Sequence, residues 1–202
     1  MLLKNDNIRV FILDTEYLSW NKSQSSISPN KRLKGQEAEI IQFYSKEIFT
    51  KNKNELNLFI KPQYYKKYPY RITKLTSISK KFLDHKGKIF SKIYHKICNF
   101  FPKNSLIISN GDEINLINNN RKLNKLIKLN KNIYFIDFMK ILKNFEPKLI
   151  KKNIHTVIKD NLMIKRHNAK DDVMQLIFLL KKLKITKKNI LNLKRFYKKK
   201  LI

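Results

Sequence analysis

The run Ile8-Arg-Val-Phe-Ile-Leu-Asp-Thr-Glu16 confines the fold more than any other part of the chain. Its apolar portion, Ile8 to Leu13, is short and rich in β-formers, which predicts a strand. Side chains two apart in a strand share a face, so Asp14 and Glu16 project together while Leu13 and Thr15 point the other way. The carboxyl-bearing carbons are then roughly 6–7 Å apart. Two carboxylates at the end of an apolar strand repel each other unless a cation neutralises them, and hard divalent ions such as Mg²⁺ or Mn²⁺ prefer oxygen ligands. A solvated turn would carry the same tripeptide, so the pair needs companions elsewhere in the chain.

Two further strands are predicted at Ile40–Phe49 and Leu56–Ile60, and three strands this early predict an antiparallel beginning. The polar stretch 21–35 reads as a loop. Residues 62–71, with four Tyr among Lys, Arg and Pro, read as an irregular segment able to stack bases and hold phosphates. Helical spacing over Ile89–Phe101 feeds a buried-strand pattern at Leu106–Ile108. The alternation then repeats, with a helix over 112–129, a strand at Ile133–Ile136, and helices over 137–144, 148–160, 169–184 and 187–199. This order predicts one α/β domain with a mixed central sheet.

Composition narrows the partner and the compartment. The formal charge of +30 points to a polyanion. The basic residues are mostly Lys, however, and they accompany abundant Asn and Ile, as A+T-rich codon usage would produce. Only part of the charge is therefore assigned to binding. Cys98, the single cysteine, excludes an internal disulfide and a multi-Cys zinc site; its apolar neighbours make it buried filler. No apolar run is long enough to span a bilayer, and the expected location is cytoplasmic. Lys198-Lys-Lys200 reads as solvated tail charge.

The companions of Asp14 and Glu16 come from two later segments. In His167-Asn-Ala-Lys-Asp-Asp172, Asn168 is placed to cap a helix, leaving His167 on the preceding loop. Asp172 shares a helical stripe with Leu176, Leu179, Leu180 and Leu183, a face that ought to be buried, whereas Asp171 is rotated away by about 100°. A carboxylate on the buried stripe makes Asp172 the candidate ligand. In Ser109-Asn-Gly-Asp-Glu113 an acid opens a helix directly after a strand, at the carboxyl end of the sheet, where α/β proteins build sites. Periodicity does not separate Asp112 from Glu113; Asp112 is preferred.

Asp-Thr-Glu on a first strand, an acid after a later strand, and His-x-Ala-x-x-Asp near the C-terminus resemble the DnaQ-like exonucleases, the DEDDh branch of the ribonuclease H-like fold. Glu37-Ala-Glu-Ile-Ile-Gln-Phe43 is similar to that family's second strand, Phe59-Ile-Lys-Pro62 to the end of its third, and Ile72-Thr-Lys-Leu-Thr-Ser-Ile78 to its Leu-Thr-Gly-Ile segment. The sequence departs from the pattern where Ser77 replaces the usual Gly, where no Gly precedes His167, and where the second motif lacks the common Phe-Asp.

The resemblance implies a mixed sheet of three antiparallel and then parallel strands flanked by helices. An exonuclease domain would span residues 1–186, with 187–202 a basic C-terminal helix or tail of the same domain. It further implies that Asp14, Glu16, Asp112 and Asp172 hold two Mg²⁺ or Mn²⁺ ions and that His167 accepts a proton from the attacking water. Thr15, Leu75 and Thr76 would contact the terminal nucleotide, and nucleoside 5′-monophosphates would leave from the 3′ end of single-stranded DNA. RNA-end trimming is the alternative substrate reading, and a non-catalytic basic nucleic-acid-binding subunit the alternative class. A homodimer and a polymerase-type complex are both compatible with the sequence.

Overall fold

Four consecutive side chains, Val10, Phe11, Ile12 and Leu13, are each buried to within 1% of complete exclusion from solvent. Burial on both faces requires a central strand, and theirs, Val10–Tyr17 (β1), is the middle one of a seven-stranded sheet. The structure, a computed structural model, describes residues 8–18, 38–52, 54–64, 68–129, 131–148 and 168–201. The remaining strands are β2 (Ile40–Ile48), β3 (Glu55–Lys61), β4 (Lys88–Ile89), β5 (Leu106–Ser109), β6 (Asn132–Asp137) and β7 (Lys198–Leu201). Their order across the sheet is β4-β3-β2-β1-β5-β6-β7. β1, β2 and β3 are antiparallel neighbours, whereas β5 and β6 continue the other side of β1 in parallel. This is the mixed sheet that the strand-then-alternation pattern predicts.

Alternation along β1 assigns the helices to the two faces. Val10 and Ile12 join a cluster with side chains of α5 (Phe138–Phe145) and α6 (Ala169–Lys182). Phe11 and Leu13 join the opposite cluster, built on α3 (Phe90–Phe100) and α4 (Glu113–Leu123), where Cys98 is packed as its neighbours predict. A third, smaller cluster of Leu18, Ile41, Ile72, Ile78 and Leu83 lies with α1 (Tyr70–Thr76) and α2 (Lys80–Lys86). The β1–β2 ladder shifts register here: Glu16 faces Gln42 but Tyr17 faces Ile40, leaving Ile41 as an extra residue. Such a bulge bends the strand and re-aims neighbouring side chains, and it sits directly beside Glu16.

The C-terminal segment differs from the expected helix over 187–199. A five-residue helix, α7 (Lys187–Leu191), opens with a Thr186–Asn189 capping box and is followed by a 3₁₀ turn at Lys194–Phe196. Lys198–Leu201 then pairs antiparallel with β6, with Lys198 opposite Phe135 and Lys199 opposite Tyr134. The lysines are thus edge-strand residues and not loose tail charge. Lysine on an edge strand also discourages pairing with a further strand. The helix expected over 148–160 falls almost entirely outside the described residues, as does the predicted loop 21–35. Among the described residues, no helix is long and apolar enough to cross a membrane.

Candidate active site

β1 delivers Asp14 and Glu16 on the face that α6 covers, because they keep the parity of Val10 and Ile12. α6 begins at Ala169 with Asn168 as its cap, the Asn168 side chain accepting the N–H of Lys170 at 3.0 Å. That start puts Asp172 one turn into the helix, ahead of the buried Val173, Leu176, Leu179 and Leu180. Asp14, Glu16 and Asp172 each offer a carboxylate oxygen, and the three oxygens lie within 4.8 Å of one another. All three residues are half-buried.

Such crowding raises the cost of ionisation. Burial lifts the Asp14 carboxyl well above the usual carboxylate range, and the charges of Glu113, Asp172 and Glu16 add to it. Glu16 is pushed up to about 8 by burial and then by Asp172 and Glu113. The charges that raise these two groups are all carboxylates. A set of converging, mutually repelling carboxylate oxygens matches what hard divalent cations take as ligands, so the donor set fits such a cation.

The acids after β5 divide into two roles. Asp112 is the cap of α4: its carboxylate accepts from the Asn115 N–H at 3.4 Å and the Asn115 side-chain amide at 2.6 Å. Glu113, only 9% exposed, turns toward β1, where its carboxylate accepts the hydroxyl proton of the buried Thr15. Burial raises Glu113 to about 7, against the lowering effect of Thr15. A Cβ at Gly111 would come within 2.9 Å of Glu113 Oε1, so the glycine leaves room for that carboxylate. The cap geometry separates the two acids. An Asp at the N-cap spends its carboxylate on the first turn, and the next residue, rotated by about 100°, meets the sheet.

The remaining expected residues stand as follows. His167 lies outside the described residues. Leu75 is half-buried on α1. The Thr76 hydroxyl is engaged locally, donating to the Ile72 carbonyl at 2.8 Å and accepting the Ile78 N–H at 3.1 Å. Thr15 uses its hydroxyl on Glu113. Two residues near the carboxylates carry no individual signal in the sequence. Gln42 faces Glu16 across the ladder and bonds to the start of α6. Tyr68 donates to the Ile78 carbonyl at 2.7 Å, and burial together with the nearby Glu16 charge raises its phenol. Neither stands out in a single sequence, because a Gln in a strand and a Tyr in a Tyr-rich segment look ordinary.

Residues 11–180 match the family model RNase_T, described as exonuclease. No curated protein sequence matches the chain. Among solved structures, cell-death related nuclease 4 (CRN-4) aligns with a TM-score of 0.65 at 17% identity, over 87% of this chain and 63% of that one. The nuclease domain of 3′hExo, a DEDDh family member bound to rAMP, aligns with a TM-score of 0.61 at 15% identity, over 86% and 92%. The zinc-bound E. coli ExoI–ssDNA complex aligns with a TM-score of 0.67 at 14% identity, over 92% of this chain but 42% of that one. At these identities the likeness is one of fold.

Proposed function

The chain belongs to the RNase_T exonuclease family, and on that premise we propose that it removes nucleoside 5′-monophosphates from the 3′ end of single-stranded nucleic acid, DNA ahead of RNA. The observation that carries this reading is the convergence of Asp14, Glu16 and Asp172 oxygens within 4.8 Å. In this reading these carboxylates hold two divalent ions, Mg²⁺ or Mn²⁺. Glu113 takes the fourth place in preference to Asp112, because its carboxylate is buried beside β1 while that of Asp112 is spent on the α4 cap. Bound divalent ions supply a nucleophile at neutral pH and stabilise charge on the departing oxygen.

The protein's own groups do the rest. Burial and mutual repulsion keep the carboxylates poised for a cation, since each gains more from neutralisation than an exposed acid would. Thr15 fixes the Glu113 carboxylate in place. His167, just ahead of α6 in the sequence, is assigned the proton of the attacking water, a task that suits an imidazole with a reference pKa of about 6.5. Leu75, on α1 next to the third cluster, is assigned to the terminal nucleotide.

The test is degradation of 3′- and 5′-labelled single-stranded DNA and RNA with Mg²⁺, Mn²⁺ or EDTA, beside Asp14→Ala. Shortening from the 3′ end that needs metal and is lost in Asp14→Ala supports the reading. No degradation with either metal would leave the non-catalytic binding subunit as the better account. A preference for the RNA strand would reassign the enzyme to RNA-end trimming.

A further inference from the structure

Gln42 is 1% exposed and stands between apolar neighbours on β2, Ile41 and Phe43. A buried carboxamide costs free energy unless its polar atoms are bonded. Here the carboxamide oxygen accepts the N–H of Ala169 at 3.2 Å. The amide nitrogen donates to Asn57 Oδ1 on β3 at 3.2 Å and to Asn168 Oδ1 at 3.4 Å. Ala169 is the first residue of α6, and the N–H groups of a helix's first turn have no partner within the helix. The Asn168 side chain already serves Lys170, so the bond to Ala169 comes from a strand 127 residues earlier in the chain.

These bonds connect the two halves of the carboxylate cluster. Glu16 lies directly opposite Gln42 in the β1–β2 ladder. Asp172 is tied to the same helix start, its N–H donating to the Asn168 carbonyl at 2.9 Å. Backbone pairing fixes Gln42 relative to Glu16, and Gln42 fixes the first turn of α6 relative to β2. An apolar side chain of equal size would fill the space but leave the Ala169 N–H without its acceptor and the start of the helix without this bond to β2.

We propose that Gln42 is the positioning residue of the cage, setting the register of α6 against β2 so that Asp172 meets Asp14 and Glu16 around a divalent ion. The proposal rests on reading that cluster as a metal site. Residues that orient metal ligands without touching the ion typically change affinity by about 10- to 100-fold when replaced.

The experiment is calorimetric titration of Mn²⁺ into the metal-free full chain, comparing wild type, Gln42→Met, Gln42→Glu and Asp14→Ala. Gln42→Met is expected to bind Mn²⁺ about tenfold more weakly. Gln42→Glu keeps the acceptor for Ala169 and is expected to stay within about threefold of wild type or bind more tightly. Should circular dichroism show Gln42→Met unfolded, Gln42→Asn, one methylene too short to reach Ala169, takes its place with the same expected loss. Wild-type affinity in the Met or Asn variant would overturn the proposal, as would an equal loss in Gln42→Glu. Failure of wild type to bind Mn²⁺, or undiminished binding by Asp14→Ala, would instead overturn the cage itself.

Discussion

Thr15 donates its hydroxyl to the carboxylate of Glu113, 98 residues further along the chain. The residue between the two strand acids therefore holds a further acid, whose charge reaches both Asp14 and Glu16. This hydrogen bond lowers the Glu113 pKa against the raising effect of burial. In Thr15→Val the opposing pull disappears, so Glu113 stays protonated to higher pH. The acid limb of the metal-activated rate profile should move up by about half to one pH unit. An unmoved limb would remove Glu113 from the metal-binding set.

Glu113 and Asp112 are separable by substitution. Glu113→Gln should lower the exonuclease rate on the order of a hundredfold or more, since the proposed cage would lose an anionic ligand. Asp112→Asn should stay within about threefold, because Asn caps a helix nearly as well as Asp. Gly111→Ala should act on the same carboxylate from behind, costing activity on the order of tenfold by displacing Glu113 while the melting temperature changes little. Rates from initial-velocity assays at saturating Mg²⁺, beside thermal melts, decide all three.

Metal removal should make stability fall as pH rises. Glu16 moves from 4.5 to about 8 and Glu113 from 4.5 to about 7 on folding, so the folded protein holds more protons than the unfolded chain between those values. Stability contributed by these groups is present below about pH 4.5 and is lost as pH climbs through 7 to 8. In EDTA the melting temperature should therefore be lower at pH 8 than at pH 6, with Mn²⁺ reversing the loss. Glu16→Gln should flatten the EDTA profile. An EDTA profile that rises over this interval would contradict the crowded-carboxylate account.

Ser77 closes α1 in the left-handed region, at φ 59° and ψ 12°, with its N–H bonded to the Thr73 carbonyl. That conformation is costly for a residue with a Cβ and free for glycine. Ser77→Gly should stabilise the protein by about 0.5–1 kcal/mol after the greater chain entropy of Gly is subtracted, raising the melting temperature by about 1–4 °C. A lower melting temperature would mean that the serine side chain contributes a contact worth more than the strain.

Much of the site was legible because its geometry is local. Period two along β1 put Asp14 and Glu16 on one face, and period 3.6 along α6 put Asp172 on the stripe of Leu176, Leu179 and Leu180. The order of strands and helices likewise followed from apolar spacing, and with it the mixed sheet.

Other features depended on partners that no window of sequence contains. Asp112 and Glu113 differ by one residue, hence by about 100° around α4, and only the position of β1 and Thr15 says which direction is inward. Lys198–Leu201 forms a strand because the outer edge of β6 is open to it, not because lysine favours strands. Gln42 matters through bonds to Asn57, Asn168 and Ala169, which folding brings to it from β3 and α6. Sequence periodicity fixes the direction of a side chain relative to its own element. What that direction meets is decided by long-range packing, which for this chain brings Glu113 to Thr15 and Ala169 to Gln42.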